Sequence, residues 1–385
     1  MVYRRQRGRL RGTAPHSVVE PCTSGHGRSL PGGHRPSRPA RPHLRLGQHG
    51  VRDGRRATRG APCPPASALS VCRADLRQLA AASGATVQRS DAGRRAGIAV
   101  ELWGSLDAIL ADLNGPVRRL LNDFLPDRGK RNGSYTGGYA IRGDGYLNFT
   151  HAVKALALLE EEARAALDRL LVAKILRRGL ILTCARCRWQ SFVAAEALGA
   201  STFTCGACSH LNSLTAKTWD KNKREPVWHY SLDQVIRELL RQNGDVPLLA
   251  VDHLRRGHRA VLWSPELAVR MGRDTVELDI AVIVNGRIVV GEAKSKGKLG
   301  NGQKYLTNNS AKGLVAAAKI LSADEIVIAT ATPSWTPGTR QAVTASINTA
   351  WASGPQPRVT EITGVGASGR SAPGDNAQQQ GQASD

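Results

Sequence analysis

Aromatic side chains make up only 4% of the 385 residues, methionine occurs twice, and acids are outnumbered by bases, 31 to 54. Long apolar runs are missing as well. The two longest candidates, Leu170–Leu182 and Leu278–Val290, are interrupted by Lys174, Arg177 and Arg178 and by Asn285. Neither reaches the roughly 18 residues of a membrane-spanning helix. No apolar segment follows the basic stretch Met1–Arg11, so no secretory signal is expected, and the thiols are expected in a reducing cytoplasm. One or two globular domains with some disordered sequence fit the length. What remains is positive charge: the net +23 favours a polyanionic partner, because cationic side chains release the counterions condensed on phosphates.

That charge is unevenly placed. Residues 1–70 carry 14 arginines and no lysine against two acids, Glu20 and Asp53, together with nine of the 19 prolines. Such a segment has too little apolar surface to repay the entropy of ordering, and it reads as a disordered arm. It could grip nucleic acid without sequence preference. Its Arg, Pro, Gly, Ala and His content is also what GC-rich DNA yields in an uninformative frame, so translation from near Val71 is the expectation. A native peptide covering Arg28–Arg45 would overturn it.

Residues 71–180 read as a mainly helical region, with helices over Ala74–Ala82, Ser105–Leu113 and Val117–Leu125, and one long helix or a close pair over Thr150–Leu176 ended by Gly179. Between Arg128 and Asn148 runs a Gly-rich loop without the Gly-Lys-Ser/Thr of a phosphate-binding loop. Tyr135 and Tyr139 beside Arg131 could stack bases; a mobile linker is the simpler account. His151 reads as a surface histidine.

Four of the seven cysteines stand as Cys184-Ala-Arg-Cys187 and Cys205-Gly-Ala-Cys208. Two intervening residues let one tight turn aim both sulfurs at a single ion, and the spacing between the pairs suits a two-knuckle zinc site. Gly206 is expected to supply a left-handed residue in its turn. Four thiolates leave no open position, so the Zn²⁺ would be structural. Residues 181–212 resemble a zinc ribbon, a module common in proteins that handle nucleic acid, and Arg186, Arg188 and Trp189 suit that use; ribbons also serve as plain staples.

Two β-branched runs flank Asn285-Gly286, the strongest short hairpin signal. A two-residue turn sets Val284 against Arg287, and therefore Asp279 against Glu292 and Glu277 against Lys294. Opposed Cβ atoms lie about 5 Å apart, so Asp279 and Glu292 can converge on one cation. The rest of both faces is apolar, so the hairpin belongs in a core. There, two adjacent carboxylates cost several kcal/mol unless a metal or Lys294 compensates. The competing account is a set of cross-strand salt bridges on a solvated edge.

The order Asp279, hairpin, Glu292-Ala-Lys294 resembles the PD-(D/E)xK, or restriction-endonuclease-like, nuclease superfamily over residues 226–364. The resemblance implies an α/β fold with an αβββαβ core: helix Ser231–Gln242, strand Val246–Val251, the hairpin strands, helix Asn309–Leu321 and strand Glu325–Thr330. It implies that Asp279 and Glu292 bind Mg²⁺ or Mn²⁺ and that Lys294 orients or activates the attacking water. Leu278 stands where the family often has proline. An additional acid from the first helix is common in the family; Asp233 lies closer to the apolar stripe than Glu238 and is preferred. Gln303 and Lys304 could touch phosphate, or be plain surface. DNA is the expected substrate ahead of RNA, and a homodimer is compatible with the pattern. A non-catalytic nucleic-acid-binding protein with a nuclease-like core is the alternative, and a protein-contact scaffold a third. Residues 365–385 read as a disordered tail, preceded by an edge strand at Arg358–Thr363.

Overall fold

The computed structural model of the protein describes residues 67–131, 138–219, 225–258 and 261–366. The expected disorder of the arm and tail falls almost wholly outside them, as does Tyr135. Among the described residues the chain is mixed α/β, with 11 α-helices and several sheets, and no helix is long and apolar enough to cross a membrane.

The amino-terminal part begins with α1 (Ser67–Ala82), β1 (Thr86–Arg89), α2 (Asp91–Trp103), α3 (Leu106–Asn114), α4 (Val117–Asp123) and α5 (Pro126–Arg131). Ser67–Ser70, read as part of the arm, are instead the first turn of α1. Next come β2 (Tyr139–Ile141) and β3 (Asp144–Asn148), then α6 (Phe149–Leu156) and α7 (Glu160–Val172). The end of the Gly-rich loop is thus a hairpin rather than a linker: Arg142 (φ 54°) and Gly143 (φ 84°) form its left-handed turn.

Strand β4 (Leu176–Thr183) pairs with β5 (Gln190–Ala194), and β6 (Thr202–Thr204) with β7 (Leu211–Ser213). With β8 (Trp228–Leu232), a five-stranded sheet forms in the order β2-β3-β8-β4-β5. Gly179 does not end a helix. It lies in β4, opposite Ala194 and His229, where an added Cβ would sit 2.2 Å from the Val193 carbonyl oxygen, so its signal is close backbone approach.

The carboxy-terminal part contains α8 (Gln234–Arg241), α9 (Asp245–Arg255), β9 (Val261–Ser264), β10 (Leu267–Met271), β11 (Asp274–Leu278), β12 (Ile280–Val284) and β13 (Arg287–Lys294). It closes with α10 (Lys304–Ile320), β14 (Glu325–Thr330), α11 (Pro337–Ala350) and β15 (Arg358–Ile362). The expected strand Val246–Val251 is helical. Periodicity cannot separate a buried helix from a strand in so short an apolar run, and Pro247 occupies the first turn of α9, where its missing N–H costs nothing.

A second five-stranded sheet has the order β15-β14-β13-β12-β9, with β13, β14 and β15 parallel and β12 antiparallel to both neighbours. Strand alternation divides its side chains between two layers. Ile280, Val282, Val284, Val289 and Ala293 pack in the core that contains α9, whereas Ala281, Val290, Ile326 and Ile328 pack with Leu314, Val315 and Val343 of α10 and α11. Val365, read as tail, is buried and held by Val365 N donating to Thr330 O at 2.9 Å.

Both cores cross the boundary drawn at residue 180. Strand β1 pairs with β10, which pairs with β11 in a three-stranded sheet. Leu76 and Val87 share a core with Leu267 and Leu278, and helices α2, α3, α4, α6 and α7 share one with α8 and α9.

Candidate active site and metal centre

Asn285 (φ 50°) and Gly286 (φ 81°) are both left-handed, which makes the hairpin turn type I′. The pairing runs from Val284 opposite Arg287 to Ile280 opposite Gly291, the register expected from the turn. Beyond it the strand changes partners. Residues Asp274–Leu278 leave the hairpin and pair with β10, so Glu277 lies opposite Ala268 and not, as expected, opposite Lys294. Asp279 is the one residue between the two pairings, in the corner where the sheets diverge.

The corner brings Asp279, Glu292 and Lys294 together. Lys294 Nζ lies 2.8 Å from Asp279 Oδ2 and 2.6 Å from Glu292 Oε2, and the Ala293 N–H donates to Asp279 Oδ2 at 2.8 Å. Both acids are almost enclosed, with side chains 10% and 11% exposed, while Lys294 at 40% faces solvent. Glu292 Oε2 is buried and makes no aligned hydrogen bond; the Lys294 ammonium is its ion-pair partner.

Electrostatics follow from that enclosure. Burial first, and then the Asp279 charge, push the Glu292 carboxyl up to about 8. Burial alone would pull the Lys294 ammonium down; Glu292 and Asp279 outweigh it and hold the ammonium above its ordinary range.

Sequence reasoning missed Glu266. Burial and the Asp279 charge push its carboxyl up to about 7. Ser90, the N-cap of α2, donates through Oγ to Glu266 Oε1 at 2.7 Å. Gly93 makes this approach feasible, since a Cβ there would lie 2.0 Å from the Glu266 carbonyl oxygen. Glu266 and Asp279 line one cavity of about 20 Å³ with Trp263, Ser264 and Leu248, room for one water-sized occupant. The available signal was one acid in the stretch Val261–Val269, whose other polar side chain is Ser264.

Asp233 is engaged elsewhere. It caps α8, with Oδ1 accepting from Val235 N at 2.9 Å and Oδ2 lying 3.2 Å from Arg177. Its local sequence, an acid directly before a helical stripe, is that of an N-cap. Glu238 pairs with Arg241 on the surface. Gln303 precedes α10, and Lys304, Lys298 and Lys296 are exposed on the segment that follows Lys294.

The four cysteines of the paired motif converge: all four sulfurs lie within 4.8 Å of one another, the one group of three or more potential metal ligands among the described residues. Cys184 Sγ is 3.7 Å from Cys208 Sγ, and Cys187 Sγ is 3.6 Å from Cys205 Sγ. Tetrahedral ligands at a Zn–S distance of about 2.3 Å stand roughly 3.8 Å apart, so the sulfurs fit the ion. The knuckles repeat one backbone pattern. Arg188 N donates to Cys184 O and Ser209 N to Cys205 O, while Cys184 N and Cys205 N donate to Trp189 O and His210 O. Left-handed backbone falls at Arg188 (φ 60°) and Ser209 (φ 54°), not at Gly206. Buried Asn212 joins the halves, accepting from Ala185 N and donating to His210 O. Backbone N–H groups aimed at sulfur favour thiolate: Cys187 N–H leads in pulling Cys184 down to about 6, and Ala207 N–H in lowering Cys205. The arrangement can hold a metal ion such as zinc.

No protein-family model matches this chain, and no curated protein does. Among solved structures it is similar to protein VC1899 from Vibrio cholerae, with 14% identity and a TM-score of 0.27 over 75% of this chain. The chain spans 57% of that one's length, and so slight a likeness carries no inference.

Proposed function

We propose that this protein is a Mg²⁺- or Mn²⁺-dependent nuclease of the PD-(D/E)xK type that hydrolyses phosphodiester bonds in DNA, with RNA as the second substrate class. The observation that carries the reading is the pair of enclosed carboxylates, Asp279 and Glu292, that share the single ammonium of Lys294. Two adjacent buried carboxylates against one ammonium leave an excess of negative charge that a divalent cation would compensate. Hard oxygen ligands select Mg²⁺ or Mn²⁺ over zinc. With β10 and β11 set apart in the three-stranded sheet, the elements α9, β9, β12, β13, α10 and β14 follow the αβββαβ order once the first helix is taken as α9 rather than Ser231–Gln242, which supports the reading.

Asp279 and Glu292 would hold the ion, and Glu266, in place of Asp233, supplies a third acid beside Asp279. When bound, the ion would polarise a phosphoryl oxygen and acidify a water. Lys294, whose ammonium bridges both acids while its side chain is 40% exposed, would meet a phosphate there and stabilise charge developing in line with the leaving oxygen. The exposed lysines that follow Lys294 would draw the backbone in. Zinc at the four cysteines would hold the ribbon beside β4, and Arg186 and Arg188 flank its first knuckle for strand placement.

The closed Lys294 contact with both acids favours a second reading, in which the same charges only grip phosphate. Plasmid cleavage separates the two. Cleavage with Mg²⁺, abolished by EDTA, by Asp279→Ala and by Lys294→Ala, is the expected result. Salt-sensitive gel shifts without cleavage would replace the nuclease by a binding protein, and neither signal would leave a scaffold.

A further inference from the structure

Between Glu292 and Asp324 the chain has no acid, while residues 293–323 hold six of its twelve lysines: Lys294, Lys296, Lys298, Lys304, Lys312 and Lys319. Lys319 is occupied, donating to Ala350 O at 2.6 Å beside the Trp351 ring, and Lys294 serves the acid cluster. Lys296, Lys298, Lys304 and Lys312 are exposed, and none of them enters an ion pair among the described residues. Like charges gathered without acids favour a polyanion, whose phosphates release counterions on contact.

The backbone holds this segment in place. After β13, burial alternates: Gly297 and Leu299 are buried, Lys296 and Lys298 exposed. Thr336 N donates to Gly297 O at 3.0 Å, Leu299 N to Thr339 Oγ1 at 3.3 Å, and Thr307 Oγ1 to Leu299 O at 2.9 Å. The loop then folds back on α10. A Cβ on Gly300 would lie 2.2 Å from the Leu306 carbonyl carbon, and one on Gly302 would lie 2.9 Å from Lys298 Cδ. Both glycines are left-handed, with φ 53° and 79°, so the fold-back depends on them. Lys298 therefore lies beside the start of α10, where Lys304 and Tyr305 are exposed. Four residues of chain keep its Cα within about 14 Å of that of Lys294.

Charge does not account for Tyr305. Its side chain is exposed, the residue leaving 74% of its surface in solvent, and neither its ring nor its hydroxyl has a partner among the described residues. A flat ring among lysines suits an unpaired base stacked on it while phosphates of the same strand meet the ammonium groups. Bases in a duplex are already stacked, and opening one step costs a few kcal/mol. An acidic protein segment would answer the lysines and leave the ring without a partner.

We propose that Lys296, Lys298, Lys304 and Tyr305 form a docking surface for single-stranded DNA, with Tyr305 stacking on an unpaired base and the lysines on the phosphates. The proposal deepens the nuclease reading, on which delivery of that strand to the acids rests; docking itself is measured without cleavage.

Fluorescence anisotropy of the full chain with labelled oligo(dT) in EDTA tests the surface, with a dA·dT duplex of equal length and an oligoglutamate of equal charge as comparisons. Oligo(dT) should bind about tenfold more tightly than the duplex, and oligoglutamate should not displace it. Tyr305→Ala should weaken oligo(dT) binding about tenfold and leave the duplex unaffected, whereas Tyr305→Phe keeps the ring and the affinity. Lys298→Ala combined with Lys304→Ala should weaken both ligands and flatten the dependence of log affinity for oligo(dT) on log salt by about 0.7 per lysine. Zinc content and circular dichroism should stay unchanged, since the three side chains are exposed. Binding of this kind in a chain that leaves plasmid and single-stranded circles uncut with Mg²⁺ would end the nuclease reading and uphold the docking surface. Equal affinity for strand and duplex, displacement by oligoglutamate, or wild-type binding by Tyr305→Ala would overturn the proposal.

Discussion

Replacing Glu292 with Gln isolates the energetic consequence of seating a carboxylate behind Lys294. Burial and Asp279 lift the Glu292 carboxyl from its ordinary value of 4.5 to about 8. Below the lower value both folded and unfolded chains hold the proton and the side chain contributes no penalty. As pH rises through the window from 4.5 to 8, the unfolded chain releases its proton while the folded chain keeps it, so stability is lost progressively. At about 1.36 kcal/mol per pH unit, that loss reaches roughly 3 kcal/mol at pH 7 and on the order of 5 kcal/mol above pH 8. Glutamine keeps the shape and hydrogen-bonding capacity of the protonated acid without titrating. Urea unfolding in EDTA should therefore give wild type and Glu292→Gln the same midpoint near about pH 4. The variant should then gain an advantage that widens to a plateau above about pH 8. Magnesium should narrow the gap by stabilising the wild type alone, because cation binding to the folded state adds to its stability. A gap independent of pH, or one already complete near about pH 5.5, refutes the argument that the pocket raises this carboxyl.

Three further outcomes follow from the same structure. Purified protein should carry one zinc ion per chain by elemental analysis, lost in Cys205→Ser, with protease cutting newly admitted within 181–212; full zinc in that variant would contradict the four-sulfur site. Asp245→Asn should cost about 3–5 kcal/mol in unfolding experiments, since it strands Arg118 and Arg128. Burial pushes Asp245 up, but those two arginines outweigh it and leave it below its ordinary value. Its stabilising effect is therefore present at neutral pH and fades as acid approaches its folded-state pKa, so a gap that grows in acid would be the wrong sign. Gly93→Ala should displace Glu266 and reduce Mg²⁺-dependent cleavage while zinc content is retained; unchanged cleavage would remove Glu266 from the site.

Legibility in the sequence followed the range of the interactions involved. The Asn285-Gly286 turn and strict alternation of side chains are local, so the pairing of Ile280–Val284 with Arg287–Gly291 could be derived before any coordinates. Cys184, Cys187, Cys205 and Cys208 were equally readable, because a two-residue gap permits little besides a knuckle. Val246–Val251 was misread as a strand, since an apolar run of six supports either structure and its burial on several sides erases periodicity. Glu277 was misplaced because strand register persists only while the partner does, and β11 takes β10 as partner.

What the sequence alone determined, then, is the chemistry at short range: which residues can turn, which thiols can share an ion, and which acids alternate onto one face. Tertiary structure decided which of these acids are enclosed. Ser90 and Glu266 meet across 176 positions of chain, Asp233 is claimed by a helix end and by Arg177, and Asp279 lies in a corner made by two sheets. Contacts of that separation depend on the packing of every intervening element, and burial, which sets the charge state of Glu292 and Glu266, exists only after that packing is complete.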